Sequence, residues 1–144
     1  MPMLYHKSLT LQNDLHAIPT LTEFVTAACE IAGFDDDMIM KMNLAIEEAV
    51  VNVINYAYPE GITGNVEVTI TVDQKDFIVV VSDSGIPFDP TQKEDADITL
   101  PAEKRPIGGL GIFLVRQLMD VVSYERRDDQ NILTLRKGLP QQNQ

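Results

Sequence analysis

Apolar residues recur along this chain with two periods, and the changes of period divide it into strands and helices. Alternation of apolar and polar positions is typical of a half-buried strand, whereas apolar residues three or four positions apart are typical of an amphipathic helix. Gly33 and Pro59 follow the two helical stretches in the first half of the chain and are natural stops. The pattern predicts, in chain order, a strand over 4–12, a helix over 19–32, a helix over 35–58, strands over 65–73 and 76–83, a helix over 110–122, and strands over 121–127 and 131–137.

The stretch 77-FIVVV-81 is apolar at consecutive positions, so its strand is expected to lie in the centre of a sheet. The elements run in the order strand, helix, helix, hairpin, long loop, helix, hairpin. This order favours an α+β two-layer sandwich, in which about three helices cover one face of a mixed, mostly antiparallel sheet. We expect residues 1–144 to form a single domain with a frayed tail over 138–144.

Polar residues interrupt the apolar run of the long helix in 47-EEAVVNVINYAY-58. Glu48 and Asn52 are four positions apart and therefore share one face of the helix, with Asn55 close to them. Asn is an indifferent helix former, so two amides in this segment suggest a local cost carried for a function. The simpler interpretation is that Glu48 and Asn52 lie on the solvent side of an amphipathic helix, and their spacing does not decide between the two.

A second candidate site is the stretch 83-DSGIPFDP-90, in which an aspartate leaves the central apolar strand directly into a glycine turn. A carboxylate at a strand end can accept a hydrogen bond from an exocyclic amine such as that of adenine, and Gly85 lets a planar ring approach the backbone. An ordinary Asp-Ser-Gly turn would have the same sequence. The stretch is therefore compatible with a nucleotide site and with a plain turn.

Glycines open the last predicted helix in 108-GGLGIFLVRQL-118. Backbone N–H groups at such a helix start can bind phosphate, helped by the positive end of the helix dipole. The spacing matches neither a P-loop nor a dinucleotide-binding fingerprint, and a flexible glycine hinge is the alternative. A loop of roughly 25 residues precedes this helix, and a structureless loop of that length in a compact domain indicates either a function or a wrongly assigned element.

The charge balance limits the classes of partner. With 11 basic against 22 acidic residues the formal net charge is −11, which disfavours direct binding to a nucleic-acid backbone. Cys29 is the single cysteine, which excludes an intramolecular disulfide and a cysteine-based zinc site, and its neighbours favour a buried thiol. No apolar run approaches a bilayer span and no signal peptide is recognisable, so we expect a cytoplasmic protein without a membrane segment.

Taken together, the helix motif, the aspartate turn and the glycine-rich helix start are similar to those of the GHKL ATPase superfamily. Within it, 44-LAIEEAVVNVINYAY-58 and 83-DSGIPFDP-90 resemble the bacterial anti-sigma factor and serine-protein kinase family, and the resemblance extends from about Leu21 to Lys137. It implies a histidine-kinase-like ATPase fold that binds ATP and Mg²⁺. It also implies a kinase that phosphorylates a serine of an anti-anti-sigma (STAS) protein, sequesters a sigma factor and works as a homodimer.

The resemblance implies roles for individual residues. Glu48 matches the general base and Asn52 the Mg²⁺ ligand, while Asn55 extends the polar face toward the nucleotide. Asp83 matches the aspartate that binds adenine, with Gly85 beside it. The remaining implied site residues are Lys104 and Arg105 in an ATP lid over 91–107, and Gly109, Leu110 and Gly111 on the phosphate side.

Two questions stay open at this point. Members of the family often carry a Gly-Thr pair in the closing hairpin that helps to bind adenine, whereas this chain has 130-QNILT-134, so the role of Thr134 is unsettled. The alternative functions are a nucleotide-dependent partner-switch module with weak catalysis and a histidine-kinase catalytic domain acting in trans. ATP binding without labelling of a partner would indicate the former, and an acid-labile phosphate on the partner would indicate the latter.

Overall fold

The computed structural model of the protein describes residues 5–92 and 109–140. Its elements are, in chain order, strand β1 (Tyr5–Gln12), a short 3₁₀ turn (Leu15–Ala17), helix α1 (Ile18–Ala32), helix α2 (Asp36–Tyr56), strands β2 (Asn65–Val72) and β3 (Asp76–Asp83), a second 3₁₀ turn (Pro90–Gln92), helix α3 (Gly109–Leu118), and strands β4 (Val121–Arg127) and β5 (Gln130–Gly138).

The five described strands form a sheet in the order β1-β2-β3-β5-β4, and each pairing between them is antiparallel. β3 lies in the centre, as predicted, and its inward residues Phe77, Val79 and Val81 are buried. The inward residues of β2 and β5 are buried in the same way against the helices. The structure therefore confirms the predicted α+β sandwich, with helices on one face of a largely antiparallel sheet.

Local sequence signals set the ends of the first two helices. Pro19 occupies the first turn of α1, and Gly33 ends that helix in a left-handed conformation with φ of 82°. Asp35 caps α2 by accepting a hydrogen bond from the Met38 amide at 2.8 Å, and two further acidic residues follow in the first turn. The bounds of both helices therefore agree closely with those predicted from sequence.

The three described helices lie side by side across the sheet. α1 packs on β1 and β2, α2 on β2 and β3, and α3 on β4, so that α2 lies between the other two. Ile112 and Val115 bury the inner face of α3. Cys29 of α1 is fully buried, as predicted, and burial raises the pKa of its thiol to about 12. No helix within the described ranges combines the length and the hydropathy needed to cross a membrane.

The helix predicted over 110–122 is shorter in the structure and ends at Leu118. The prediction of helix for the following residues was wrong, because Val121 already belongs to β4. Asp120 explains the early stop. Its amide donates to the Arg136 carbonyl at 2.8 Å, and its carboxylate accepts a hydrogen bond from the Gly138 amide at 2.7 Å. These contacts draw the chain into the sheet before another helical turn can form.

The first two residues of the tail predicted over 138–144 are bonded to neighbouring segments. Gly138 is the last residue of β5, and the Leu139 amide donates to the Lys75 carbonyl at 2.9 Å. Residues 141–144 lie outside the described residues. So does the segment 93–108, which includes Lys104, Arg105 and most of the predicted lid over 91–107.

Candidate functional site

Glu47 and Glu48 are neighbours in α2 but face different parts of the protein. Glu47 Oε1 accepts a hydrogen bond from Thr22 Oγ1 of α1 at 2.7 Å. Successive helix residues project about 100° apart, and the two glutamates lie on opposite sides of the buried stripe of α2. Because α2 lies between α1 and α3, the half-buried Glu48 projects on the side of α3.

Asn52 lies one turn beyond Glu48 on the same flank of α2 and is 2% exposed. Its Nδ2 atom has no hydrogen-bond partner among the described residues. Leaving a buried polar group without a partner costs about 1–3 kcal/mol. The protein therefore holds an unsatisfied amide on the flank of α2 that faces α3, which is the flank predicted from sequence to meet a ligand.

The pair Glu48 and Asn52 has the donor chemistry for a metal that arrives with a nucleotide. In the described ranges, no group of three or more His, Cys, Asp or Glu side chains could hold a metal ion. Mg²⁺ in phosphate-binding sites commonly takes one or two protein oxygens and fills its remaining positions with phosphate and water. Asn52 can supply one such oxygen, and a carboxylate lies one turn away. These residues therefore fit Mg²⁺ bound together with phosphates, rather than a metal held by protein groups throughout.

Asp83 ends β3 and is 3% exposed, so its carboxylate is almost completely removed from solvent. Oδ1 accepts hydrogen bonds from the Gly85 amide at 2.9 Å and from Asn131 Nδ2 at 2.9 Å. Oδ2 is buried and has no partner among the described residues. Desolvation raises the pKa of Asp83, and the hydrogen bonds from Asn131 and Gly85 offset part of that rise. The free oxygen is an acceptor available to a ligand donor such as an exocyclic amine.

Gly85 brings the turn after β3 into contact with the end of α2. A Cβ atom at this position would lie 2.2 Å from the carbonyl oxygen of Ala57, which caps α2. The Ile86 amide donates to the same oxygen at 2.7 Å. The absence of a side chain therefore permits this approach of two backbone segments, so the predicted aspartate turn lies against the end of the helix that carries the other motif.

Tyr58 strengthens the same junction. Its hydroxyl donates to the Asn65 carbonyl at 2.7 Å and accepts a hydrogen bond from the Ser84 amide at 3.1 Å. Nearby, the rings of Tyr56 and Phe88 stack with their centroids 5.4 Å apart. Aromatic side chains from the end of α2 thus hold the segment that leads away from Asp83.

The predicted phosphate-side residues Gly109, Leu110 and Gly111 form the first turn of α3. The first amides of a helix have no partner within it, and such a turn can bind an anion. Further along α3, the Arg116 guanidinium donates a hydrogen bond to the Thr91 carbonyl. The segment that follows β3 is therefore tied to the helix whose start was predicted to meet phosphate.

Asn55 lies apart from the other predicted residues of α2. It is exposed, and it lines a surface cleft of about 790 Å³ formed by residues 12–16, 54–55 and 58–63. The lining of this cleft contains no residue of β3 or α3. The described contacts bring Asp83 and Gly85 to the end of α2, but they do not bring Asn55 to Asp83.

Asn131 was missed by the sequence analysis and is the closest partner of Asp83 across the sheet. It is 4% exposed, and the register of β3 and β5 pairs Asp83 with Asn131, whereas Thr134 pairs with Val80. Thr134 therefore does not lie beside the aspartate. The alternation of β5 could have indicated this position, because Asn131 lies two and four residues before the inward residues Leu133 and Leu135 and therefore on the same face of the strand.

Comparison with known proteins agrees with these features. Residues 11–137 match the histidine kinase-like ATPase domain family. The chain is similar to the serine-protein kinase RsbW of Listeria monocytogenes, with 32% identity over 81% of this chain and 78% of that protein. It is also similar to the serine/threonine-protein kinase BtrW of Bordetella bronchiseptica, with 30% identity over 65% of this chain and 66% of that protein.

The RsbW kinase of Bacillus cereus is a further relative, with 30% identity over 70% of this chain and 65% of that protein. The chain thus spans about two thirds of the length of most of these relatives. The family match covers nearly the whole chain, and the predicted motifs of α2 and β3 lie within it. The chain therefore belongs to the histidine kinase-like ATPase domain family, in the group of the RsbW-type serine-protein kinases.

Proposed function

We propose that this protein is an anti-sigma-type serine kinase, which binds ATP with Mg²⁺ and transfers the γ-phosphoryl group to a serine of a STAS protein. The observation that carries the proposal is Asp83, which presents a buried carboxylate oxygen without a partner at the end of the central strand. Membership of a nucleotide-using kinase family supports the same reading. The proposal includes sequestration of a sigma factor, a homodimeric state and a cytoplasmic location.

The adenine end of the site consists of Asp83 and Gly85. Asp83 Oδ2 accepts a hydrogen bond from the 6-amino group, while its other oxygen stays bonded to the Gly85 amide. A neutral purine with a donor at this position satisfies an oxygen that the protein leaves unpaired. The same oxygen would face the 6-oxo group of guanine unfavourably, since both are acceptors.

The phosphate end of the site consists of Glu48, Asn52 and the first turn of α3. Asn52 is the proposed protein ligand to Mg²⁺, and the bound ion would neutralise negative charge on the phosphates. Backbone amides of Gly109, Leu110 and Gly111 are proposed to bind phosphate at the helix start. Lys104 and Arg105 are proposed as additional cations for the phosphates or for the partner protein.

Glu48 is the proposed general base. It accepts the proton of the partner's serine hydroxyl while the hydroxyl oxygen forms a bond to the γ-phosphorus. The bond between that phosphorus and the bridging oxygen breaks, and ADP leaves with the electron pair. The role suits the position of Glu48, because this half-buried residue lies one turn from Asn52 on the same flank of α2.

The adjacent glutamates of α2 provide the test. Glu48→Gln is expected to keep the affinity for ATP·Mg²⁺, measured by calorimetry, but to lower the rate of phosphate transfer to a cognate STAS protein by about 10²–10⁴-fold. Glu47→Gln is the matched control, because it makes the same change on the flank bonded to Thr22. It should phosphorylate the partner at close to the parent rate.

Equal rates for the Glu48→Gln variant and the parent would refute the assignment of the base. If the parent binds ATP but labels no partner, the protein is a nucleotide-dependent binding module without useful kinase activity. An acid-labile phosphate on the partner would indicate transfer to histidine, whereas the proposal expects an acid-stable phosphoserine.

A further inference from the structure

The side-chain amide of Asn131 is fully occupied by protein partners. Nδ2 donates to Asp83 Oδ1 at 2.9 Å and to the Ile86 carbonyl at 2.8 Å. Oδ1 accepts a hydrogen bond from the Phe88 amide at 3.1 Å and another from the Tyr124 hydroxyl. An Asn amide has two N–H donors and two acceptor lone pairs, so these four contacts use its whole capacity.

The four contacts also fix which way the amide points. Exchanging its nitrogen and oxygen would direct an N–H group at the Phe88 amide and an oxygen at the Asp83 carboxylate, so that both pairs would repel. Asn131 is 4% exposed, which leaves no room for water to relieve such a mismatch. The orientation of the amide is therefore determined by its surroundings.

This fixed amide divides the Asp83 carboxylate into two unlike oxygens. Oδ1 receives hydrogen bonds from Asn131 and from the Gly85 amide. Oδ2 remains buried without a partner among the described residues. If the contact with Asn131 were lost, only the Gly85 amide would hold Oδ1, and the carboxylate could turn so that its free oxygen points in a different direction. The direction in which a ligand finds an acceptor is thus set from β5, on the far side of the carboxylate.

Asn131 acts through Asp83 and not on the ligand, because no donor or acceptor of its own is left over. We propose that Asn131 is a positioning residue for purine selection: it holds Asp83 so that Oδ2 accepts from a 6-amino group, and thereby favours 6-aminopurine nucleotides. This inference rests on the proposed binding of ATP. The inference goes beyond ATP binding, because it assigns the discrimination between purines to a residue that need not touch the nucleotide.

The same amide holds the turn that follows Asp83. Its contacts with Ile86 and Phe88 bind two points of that turn to β5, and Arg126 Nη1 of β4 donates to the Gly85 carbonyl at 2.9 Å. The closing hairpin therefore supports both the carboxylate and the backbone next to it. A change at Asn131 should affect recognition of the base before it affects recognition of the phosphates.

The test compares two nucleotides that differ in one group. ATP and purine riboside triphosphate, which lacks the 6-amino group, are titrated into the full chain in the presence of Mg²⁺. The parent protein is expected to bind ATP at least about 10-fold more tightly, which is the effect of one hydrogen bond to a charged acceptor. In Asn131→Leu, which keeps a similar size but removes the donor, the ratio of the two dissociation constants should fall below about 3-fold.

Asn131→Ala is the second variant, since it removes the donor together with most of the side chain, and it is expected to give the same reduced ratio. Thr134→Ala is the matched control: it lies three residues along β5, pairs with Val80 and faces away from Asp83. Its ratio should equal that of the parent. If Asn131 had a role in folding alone, its variants would bind both nucleotides more weakly by the same factor. The ratio of the two dissociation constants would then be unchanged in every variant.

Two outcomes separate this inference from the proposed function. If the parent discriminates between the nucleotides and the folded Asn131 variants do so equally well, the positioning role is refuted while ATP binding stands. If the parent binds neither nucleotide, or binds both equally, the proposed adenine site is refuted and the role of Asn131 with it.

Discussion

Gly85→Ala is expected to separate the turn after Asp83 from the end of α2. The new Cβ atom would lie 2.2 Å from the Ala57 carbonyl oxygen, 2.7 Å from its carbon and 2.9 Å from the Ala57 Cβ atom. Ordinary contacts at such positions are 3.4–4 Å long, so one of the two backbone segments must move by about 1 Å. No flexible side chain can yield in its place.

The size of the effect follows from the contacts that are lost. Forcing an extra carbon into a packed site costs roughly 1–3 kcal/mol. Breaking the hydrogen bond from the Ile86 amide to the Ala57 carbonyl adds about 0.5–1.5 kcal/mol to this loss of stability. Alanine also lowers the conformational entropy of the unfolded chain, which offsets the loss by about 0.4–1 kcal/mol. We therefore expect the free energy of unfolding to fall by about 2–3 kcal/mol, together with weaker ATP binding.

Urea unfolding followed by circular dichroism measures this change, and a fall of that size lowers the midpoint by about 1–1.5 M. Gly138→Ala is the matched control. A Cβ atom there would lie 3.4 Å from Asp120 Oδ2, an ordinary contact, and Gly138 is not among the glycines with positive φ. The control should stay within about 0.5 kcal/mol of the parent. A Gly85→Ala protein as stable as that control would refute the proposed close contact.

Three further substitutions probe the polar groups of the site. Burial raises the pKa of Asp83 in the folded state. As the pH rises from the pKa of this group in the unfolded chain through its pKa in the folded protein, ionisation of the carboxyl group therefore lowers the free energy of unfolding. The stability of Asp83→Asn relative to the parent should therefore increase as the pH rises above about 4 in urea unfolding. Asn52→Leu removes an unpartnered buried amide and is expected to gain about 1–2 kcal/mol of stability while losing Mg²⁺-dependent ATP binding in calorimetry. Tyr58→Phe removes two hydrogen bonds of one hydroxyl and should cost about 1–2 kcal/mol in the same unfolding assay.

Each of these expectations has an outcome that would contradict it. If the difference in stability between Asp83→Asn and the parent does not change with pH, burial does not raise the pKa of Asp83. An Asn52→Leu protein that binds ATP·Mg²⁺ as tightly as the parent would exclude Asn52 as the metal ligand. Unchanged stability of Tyr58→Phe would mean that its hydroxyl contributes nothing to the junction.

Features that depend on neighbouring residues were predicted well from the sequence. The left-handed stop at Gly33 and the cap at Asp35 are set by residues within a few positions of each helix end. The alternation of β2 and the consecutive apolar residues of β3 reflect how each strand meets the core. These signals were sufficient to give the order of elements and the class of fold.

Features that depend on distant residues could not be predicted in the same way. α3 ends at Leu118 because Asp120 is bonded to Arg136 and Gly138 of β5, and nothing local to the helix stops it. The partnership of Asp83 and Asn131 depends on the register of two strands. The alternation of β5 indicated which face of the sheet Asn131 occupies. A shift of two residues in that register would have kept Asn131 on the same face but removed its contact with Asp83.

The pairing of β3 with β5 joins residues that are far apart in the chain, since Asp83 and Asn131 are separated by 48 positions. The segment between β3 and α3, which includes 93–108, is part of the chain that must be closed before the two side chains can meet. The entropy of closing a flexible loop grows only with the logarithm of its length, so that doubling the length costs about 0.6 kcal/mol. Insertions and deletions in that segment should therefore have little effect on the free energy of folding. The contact between Asp83 and Asn131 can therefore be kept in related chains whose segments between β3 and α3 differ in length.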